Sequence, residues 1–449
     1  MDLKRDAIDF SKDPVTEIFR RMFFPTLIGM VSMVVLNISD GAFVGHGVGS
    51  DALAAVNIVA PMFMISGGIG LMFGIGSSVV ASIHLSKDNT HAANINITQG
   101  VIGTVLVGLI VATVVLLYQR ETCLLFGCSE ALVPLACSYL KWIAIVTPSN
   151  MLGMTAMFAV RLDGNPRFAM IMNCSMAFAN IFLDWLLIYP GGMGLEGAAI
   201  ATCTAFGLGN IPLLWFMFTR MKKVHLCKLK MTMMSLRLTM RNLFYQMKIG
   251  ISGLIGELSL AVVIIVGNYV FMNYIGEDGV AAFSVACYCL PIVFMIGNAI
   301  VQSIQPVISF AYGQQEHVRL REAVRIAMTS AFLTGIGGML LMMLGAGLIT
   351  EVFLPSDCRA FEICQHGLPL YSSAFMFVAM NIVMIGCLQS VEATRQATLF
   401  TMLRGIILSI PSFIFLPMLV GEDGLWFALP LAEAVTMLLI IATYTIKNK

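Results

Sequence analysis

The chain has 449 residues, of which 58% are hydrophobic and only 11% are charged, and its formal net charge is +1. A mean hydropathy of +0.89 excludes a soluble globular domain of this length and indicates an integral membrane protein. The small net charge gives no sign of a nucleic-acid partner. The 11 cysteines show no Cys-x-x-Cys pair and no Cys/His spacing typical of a metal site, so we interpret them as buried or lipid-facing thiols.

The apolar residues form long runs that are separated by short loops containing Gly, Pro or charged residues. Runs of about 20 to 30 residues predict membrane-spanning helices, whereas an outer-membrane barrel would show alternating segments of about ten residues. No cleavable signal peptide is expected, because the polar N-terminal stretch leads directly into the first run. We predict twelve spans, at residues 15–44, 53–82, 93–119, 132–160, 168–190, 195–219, 245–274, 280–311, 321–348, 362–389, 396–419 and 424–446.

The basic residues indicate how the spans are oriented. All but three of the 26 Lys and Arg residues are assigned to the termini, the even-numbered loops or the central loop, and the exceptions are Arg120, Lys141 and Arg359. By the positive-inside rule, both termini and the central loop are expected on the cytoplasmic side of the cell (inner) membrane. Basic runs can also bind lipid or nucleic acid, but next to membrane spans we favour the topological explanation.

The chain contains an internal repeat. A shift of 227 residues superimposes glycines and acidic residues at both ends of the half, and the pairs include Gly49 with Gly276, Asp51 with Asp278, and Gly194 with Gly421. Each copy holds six spans, so both copies insert in the same orientation, as a parallel repeat. We therefore predict an all-α integral membrane protein with twelve transmembrane helices in two six-helix lobes. The lobes are expected at residues 1–220 and 245–449, with a cytoplasmic basic linker at 221–244.

A few polar residues inside the predicted spans mark a candidate site in the first lobe. Asn180 and Asp184 lie four residues apart in span 5 and therefore on one helix face. Asp40, near the outer end of span 1, and Thr202, about two turns below the start of span 6, are predicted at a similar depth. A charge in hydrocarbon costs several kcal/mol, so we expect this group to face a wet cavity and to bind Na⁺ or a shared proton. A purely interfacial position of Asp40 stays open as an alternative.

The second copy differs from the first at the same positions. The residues that match Asp40, Asn180, Asp184 and Thr202 are Gly267, Ile407, Pro411 and Leu429. Conversely, Glu257 and Glu433 are predicted near mid-depth in the second lobe and match apolar residues of the first. The two lobes are therefore expected to differ in chemistry.

Four segments of the chain resemble the multidrug and toxic compound extrusion (MATE) transporter family, and the similarity extends over essentially the whole sequence. They are residues 39–45 at the end of span 1, 180–184 in span 5, 194–202 at the start of span 6, and 302–313 at the end of span 8. The four segments in register make the resemblance specific. It implies an antiporter that exports bulky, amphipathic and often cationic compounds in exchange for Na⁺ or H⁺, with no cofactor and no nucleotide.

The resemblance also implies roles for single residues. The cation ligands that it implies are Asp40, Asn180, Asp184 and Thr202, with the backbone carbonyl of Ala198. Pro25 corresponds to a family proline at which span 1 would bend when the site changes occupancy. Glu257 resembles a span-7 carboxylate that is implicated in the other lobe of some branches, and Glu433 stands where the family often has Asp. No catalytic residue is expected, and no metal other than a bound Na⁺.

Two other functions were weighed against transport of drugs. A lipid-linked oligosaccharide or polysaccharide flippase can share this architecture, but it would be expected to carry several basic residues in its cavity. The predicted spans hold acids and almost no Lys or Arg, with Lys141 near an outer end as the exception. A membrane-embedded enzyme is disfavoured because His-Glu-x-x-His, acidic-pair metal motifs and a Ser/Lys dyad are missing. A phosphate loop of the form Gly-x-x-x-x-Gly-Lys-Ser/Thr is missing too, so no nucleotide is required.

The coupling ion is left open between Na⁺ and H⁺, with Na⁺ as the favoured one. Two carboxylates, an amide oxygen, a hydroxyl and a carbonyl are enough oxygens to replace much of the water shell of Na⁺. A site that only carries protons needs neither the amide nor the hydroxyl. We expect H⁺ to compete by protonating Asp40 or Asp184.

Overall fold

The structure is a computed structural model that describes residues 8–230 and 232–447, except for the side chains of Ser50 and residues 444–447. Within these ranges it is all-α, and twelve helices are long and apolar enough to cross a membrane. The all-α fold and the number of spans are thus confirmed. Spans 1 to 12 are Val15–Gly47, Asp51–Leu85, Thr90–Leu117, Val133–Leu162, Pro166–Ile188, Gly194–Thr219, Met233–Tyr274, Glu277–Gln314, His317–Phe353, Arg359–Ser390, Thr394–Val420 and Asp423–Thr443.

Span 7 begins much earlier than its composition predicts. Its helix starts at Met233 instead of residue 245 and has 42 residues, which is about 63 Å at 1.5 Å per residue. This is about twice the thickness of the hydrocarbon layer, so part of the helix must lie outside it. Hydropathy marks only the membrane-embedded part, because the first turns carry basic residues. The predicted lobe boundaries stay a prediction, but residues from 233 to 244 of the predicted linker are helical.

Several spans depart from a single straight α-helix. Span 10 consists of two helices, and span 11 is interrupted by a π-helical turn. A short helix also lies between spans 3 and 4, and the helix of span 12 extends to Lys447. The segments are Gln119–Leu125 before span 4, Arg359–Ser372 and Ala374–Ser390 in span 10, and Thr394–Met402, Leu403–Ile407 and Ser409–Val420 in span 11.

The backbone repeats where the sequence does. Gly49 and Gly276 precede spans 2 and 8 with φ angles of +123° and +91°. Gly194 and Gly421, at the starts of spans 6 and 12, have φ angles of +57° and +77°. These conformations favour glycine, which lacks a Cβ. The predicted internal repeat is therefore visible in two pairs of equivalent glycine turns, one pair before spans 2 and 8 and the other at the starts of spans 6 and 12.

The contacts of the chain divide it into two compact units. The first contains the residues up to Glu257 together with Ser309–His317, and the second contains Leu258–Ile308 and the residues from Val318 onward. In the first unit, span 2 packs on spans 3 and 4, span 4 on span 6, and span 5 on spans 1 and 6. In the second unit, span 12 packs on spans 10 and 11. Spans 1, 5 and 6 thus bring together the residues that the sequence singles out.

Spans 2 and 7 meet through glycines in the first unit. A Cβ on Gly76 would lie 2.1 Å from the carbonyl oxygen of Gln246, and one on Gly250 would lie 1.9 Å from that of Met72. Real Cβ atoms do not approach backbone oxygens so closely. The two helices therefore contact each other backbone to backbone, as small residues permit in membrane proteins.

A polar face of span 3 binds the segment that follows span 6. The side-chain oxygen of Asn94 accepts the backbone N–H of His225 at 2.9 Å, and the Thr98 hydroxyl accepts that of Cys227 at 3.0 Å. Further along span 3, the carbonyl oxygen of Asn96 accepts the side-chain amide of Gln246 at 3.0 Å. The predicted linker is therefore partly docked on the first unit.

The first described residues are also docked on the first unit. The Asp163 carboxylate accepts the backbone N–H groups of Lys222 and Lys223 at 2.9 and 2.6 Å. The Lys223 ammonium donates to the Ile8 carbonyl and lies 4.4 Å from the centroid of the Phe10 ring. Burial raises the pKa of Asp163 and lowers that of Lys223, although the hydrogen bonds and charges around them act in the opposite direction.

Phe10→Ala is expected to destabilise the protein. The Phe10 ring is 2% exposed and lies 6.3 Å from the ring of Phe310, so its removal leaves a cavity. Truncation of a buried Phe costs about 3 kcal/mol or more, which should lower the melting temperature of the purified protein by several degrees. Phe24→Ala is the control, because Phe24 is 55% exposed. Equal melting temperatures for the two variants would contradict the docking of this segment.

Candidate functional site

Asn180, Asp184 and Thr202 lie together in the first unit, as the helical spacing predicts. Asn180 and Asp184 are fully buried on span 5, and Thr202 on span 6 is 2% exposed. The Asn180 amide donates to the Thr202 hydroxyl oxygen at 3.2 Å. The amide oxygen of Asn180 is buried and has no hydrogen-bond partner.

Asp40 on span 1 completes the pair of carboxylates. It is half-buried, and its charge interacts with that of Asp184. One oxygen of Asp40 and both oxygens of Asp184 are buried without a hydrogen-bond partner. Within the described residues neither carboxylate forms an ion pair with Lys or Arg. The site therefore carries uncompensated acidic groups, which is costly inside a membrane protein unless a cation or protons bind there.

Ala198 lies on the same helix as Thr202, and Pro25 on the same helix as Asp40. Ala198 is fully buried and is the fifth residue of the span-6 helix, so its carbonyl can bond the N–H four residues on and still has a second lone pair. Pro25 is buried inside the span-1 helix, which continues through it from Val15 to Gly47. The proline cannot donate a backbone hydrogen bond, which makes this a weak point of the helix.

Tyr139 is a member of the site that the sequence analysis missed. It is fully buried on span 4, and its hydroxyl makes no hydrogen bond. The charges of Asp40 and Asp184 both act on this hydroxyl, which associates Tyr139 with the same region of the first unit. A tyrosine in an apolar run carries no charge and usually belongs to the core. Only its position near one end of a span, like that of Asp40, could have marked it.

The arrangement suits a small cation bound by oxygen. Spans 1, 4 and 5 contribute five buried oxygens without hydrogen bonds: one each from Asp40, Tyr139 and Asn180, and two from Asp184. Buried polar atoms are nearly always satisfied, so a concentration of exceptions calls for a ligand or water. Carboxylate, amide and hydroxyl oxygens are ligands of hard cations.

The second unit holds a buried ion pair that corrects the sequence analysis. Arg404 lies near the middle of span 11, and its guanidinium nitrogen Nη2 donates to Oε1 of Glu433 at 2.6 Å. The expectation that the spans contain almost no Lys or Arg apart from Lys141 is therefore wrong. Arg404 also lies inside the predicted span 396–419, but the count of basic residues had assigned it to a loop. Its partner on span 12, Glu433, was not considered in that count.

Glu257 and Glu433 belong to different units. Glu257 is a half-buried residue of span 7 that groups with the first unit, and a Cβ on Gly68 of span 2 would lie 3.6 Å from its Cβ. Its carboxylate forms no hydrogen bond or ion pair with another described residue. An ionisable residue at such a depth is a functional candidate by default. The two second-lobe candidates thus have different surroundings.

Aromatic rings surround the residue of the second unit that matches Asp40 of the first. Gly267, which matches Asp40, would place a Cβ 2.4 Å from the Phe283 ring. Phe283 is fully buried and stacks on Phe271 with centroids 4.5 Å apart, and Trp426 meets Phe271 edge-on at 5.0 Å. The predicted difference in chemistry between the two copies is thus a difference between a polar cluster and an aromatic one.

The sequence matches a family model at both repeats. The model, MatE, matches residues 25–186 and again residues 251–414. The chain belongs to the MatE family. This assignment makes it one of a family of transporters rather than enzymes. Asp40, Asn180 and Asp184 of this MatE protein all lie within the first match.

Known relatives agree with the MatE assignment along the full length. The chain is 22% identical over 442 residues to the multidrug export protein MepA of Staphylococcus aureus (strain MRSA252), covering 98% of this chain and 96% of MepA. MepA of Staphylococcus saprophyticus is 21% identical with the same coverage. An outward-facing multidrug resistance MATE family transporter of the MOP superfamily has the same fold, with a TM-score of 0.89 and 19% identity over 99% of both chains. The two-lobe architecture predicted from the repeat is thereby confirmed.

Proposed function

We propose that this MatE protein is a secondary active antiporter that exports amphipathic, often cationic organic compounds in exchange for Na⁺ or H⁺ by alternating access. The names of the relatives support the export of drugs. The observation that supports coupling of export to a cation is the cluster of Asp40, Tyr139, Asn180 and Asp184. Its oxygens are buried without hydrogen-bond partners, and the charge of Asp40 acts on Asp184, as expected for a site that can accept and release a cation.

We infer that Na⁺ binds in this cluster and that H⁺ competes with it. The ligands proposed are the side chains of Asp40, Asn180, Asp184 and Thr202, with the Ala198 carbonyl and the Tyr139 hydroxyl. Protonation of either Asp removes a negative charge and so releases Na⁺. Span 1 would bend at Pro25 when the site changes occupancy, because the helix lacks one hydrogen bond there.

The free energy released when one monovalent cation moves down its gradient is sufficient to drive export. A monovalent cation that moves down about 100 mV gains about 2.3 kcal/mol, and a tenfold concentration gradient adds about 1.4 kcal/mol. Together these can maintain a gradient of an uncharged compound of about some hundreds-fold per cation. A nucleotide is therefore not needed.

The orientation in the membrane is also part of the proposal. We place both termini and the basic segment after span 6 in the cytoplasm, and the protein in the cell (inner) membrane. Support comes from the uneven distribution of Lys and Arg between the two sides. Arg404 no longer counts toward this distribution, because it lies inside a span. A flippase is not favoured, because the guanidinium of Arg404 is paired with Glu433 and so is not free to bind pyrophosphate.

The test is transport of a cationic dye into everted membrane vesicles. Na⁺ and pH gradients are imposed separately, and vesicles without the protein serve as the control. Uptake driven by either gradient supports the antiport. Uptake that needs ATP and persists when both gradients are collapsed would refute it.

Asn180→Ala and Thr202→Ala are expected to weaken the dependence on Na⁺ more than the dependence on pH. Each change removes an oxygen that only Na⁺ needs and breaks the 3.2 Å hydrogen bond between the two side chains. We expect the Na⁺ concentration for half-maximal dye uptake to rise about tenfold, as for the loss of about 1.4 kcal/mol of binding. An equal effect on Na⁺-driven and pH-driven uptake would indicate a proton site instead.

A further inference from the structure

Three spans of the second unit meet at one buried polar cluster. Asn381 on span 10, Arg404 on span 11 and Glu433 on span 12 are all at most 5% exposed. These residues lie outside the proposed cation cluster, because they belong to the other unit. A buried charge in a membrane protein is costly, so such a cluster marks a function or a strict structural requirement.

The carboxylate of Glu433 is fully occupied by its neighbours. Oε1 accepts from Nε and Nη2 of Arg404 at 3.0 and 2.6 Å, and Oε2 accepts from the same Nε at 3.2 Å. Oε2 also accepts from the Asn381 amide at 2.7 Å. A carboxylate that holds a two-pronged guanidinium and an amide leaves little room for another cation.

The backbone holds Arg404 in this position. It belongs to the π-helical turn Leu403–Ile407, and the hydroxyl of Ser409 donates to its carbonyl. A Cβ on the adjacent Gly405 would lie 2.2 Å from Ser259, so span 11 is tightly packed on span 7 here. The Arg404 guanidinium also lies 4.9 Å from the centroid of the Phe294 ring. π-Helical turns are rare and occur frequently at functional sites.

The two units therefore differ in whether a basic side chain pairs with their buried acids. In the first unit, both oxygens of Asp184 lack a hydrogen bond, and no basic side chain pairs with them in the described part of the chain. In the second unit, the acid is neutralised by a cation that belongs to the chain itself. In the second unit the positive charge comes from Arg404, whereas in the first unit it would have to come from a bound cation or proton.

We propose that Arg404 is a tethered cation that permanently occupies the acidic site of the second unit and so limits cation exchange to the first unit. This inference rests on the proposed cation coupling in the first unit. Arg404 acts on the stoichiometry of antiport by closing the Glu433 site to free monovalent cations. Removal of its side chain opens a site for a guanidinium ion, which has the same planar charge.

The experiment measures the melting of purified full-length Arg404→Ala in guanidinium chloride or urea at equal millimolar concentrations, far below those that denature proteins. Urea has a similar shape without the charge. We expect Arg404→Ala to melt several degrees below wild type, and guanidinium but not urea to recover most of the loss. Wild type and the double variant Arg404→Ala with Glu433→Gln should show no such recovery. Equal effects of guanidinium and urea on Arg404→Ala would overturn the proposal.

A second variant covers the case in which Arg404→Ala does not fold. Arg404→Met combined with Glu433→Met removes both charges and keeps the volume, so it should be purified and melt close to wild type. Failure of this pair to fold would show that the charges are not simply compensating each other, and would also overturn the proposal. Melting does not require transport, so these results are independent of the dye-uptake test of the antiport.

Discussion

Asp184→Asn is expected to reduce export of a cationic dye to the level of membranes without the protein. Asp184 is fully buried, and both of its oxygens lack a hydrogen bond. Asparagine has nearly the same shape but no charge, so the proposed cation site loses half of its carboxylates without a change in packing. The protein should insert normally and melt at the same temperature as wild type or higher, because an uncompensated buried acid has been removed.

The control for this prediction is Glu196→Gln. Glu196 lies in the first turn of span 6, close in sequence to Ala198 and Thr202, but it is exposed. Its variant should export dye at the wild-type rate. Dye export by Asp184→Asn at the wild-type rate would show that the first unit does not couple transport, and would remove the basis of the proposed function.

Gly76→Ala is expected to cause a large loss of stability. The added Cβ would lie 2.1 Å from the carbonyl oxygen of Gln246, and a backbone atom cannot rotate away as a flexible side chain can. Spans 2 and 7 must then separate, at a cost of about 3 kcal/mol, the upper part of the range for overpacked cores. We expect a marked fall in melting temperature and in the yield of folded protein.

Gly67→Ala on the same span is the matched control. A Cβ at this position meets nothing within 4 Å. Alanine also favours a helix over glycine by about 1 kcal/mol, so this variant should melt at or slightly above the wild-type temperature. If both alanine variants melt alike, spans 2 and 7 are not in backbone contact and the packing of the first unit is different from that described.

The spans and much of the candidate site could be predicted from the sequence, because both follow from the constraints that a membrane places on its helices. The membrane imposes a length on each apolar run and makes each polar residue inside it exceptional, so Asn180, Asp184 and Asp40 could be recognised one by one. Helical spacing and depth then brought them together with Thr202 on span 6. Their hydrogen bond and shared charge environment in the structure follow that geometry. Their role as cation ligands remains a proposal.

Residues that depend on partners from other spans were harder to predict. Tyr139 looks like any core aromatic until the carboxylates whose charges act on it are known. Arg404 was counted with the loops, because a basic residue inside a span is expected only where an acid compensates it, and Glu433 is far along the chain. The polar face of span 3 and the helical start of span 7 were missed for a similar reason, since hydropathy measures contact with lipid and not with other helices.

The contact between Gly267 and Phe283 restricts how the second repeat can evolve. An aspartate at 267 would place its Cβ 2.4 Å from the ring, so the ring must be lost before a carboxylate can be gained. Phe283 is fully buried, and its loss alone leaves a cavity that costs about 3 to 5 kcal/mol. If the two residues change one at a time, the first change therefore gives a poorly folded protein, whichever residue changes first. The packing of the rings therefore opposes the gain of a carboxylate at position 267 by a single substitution.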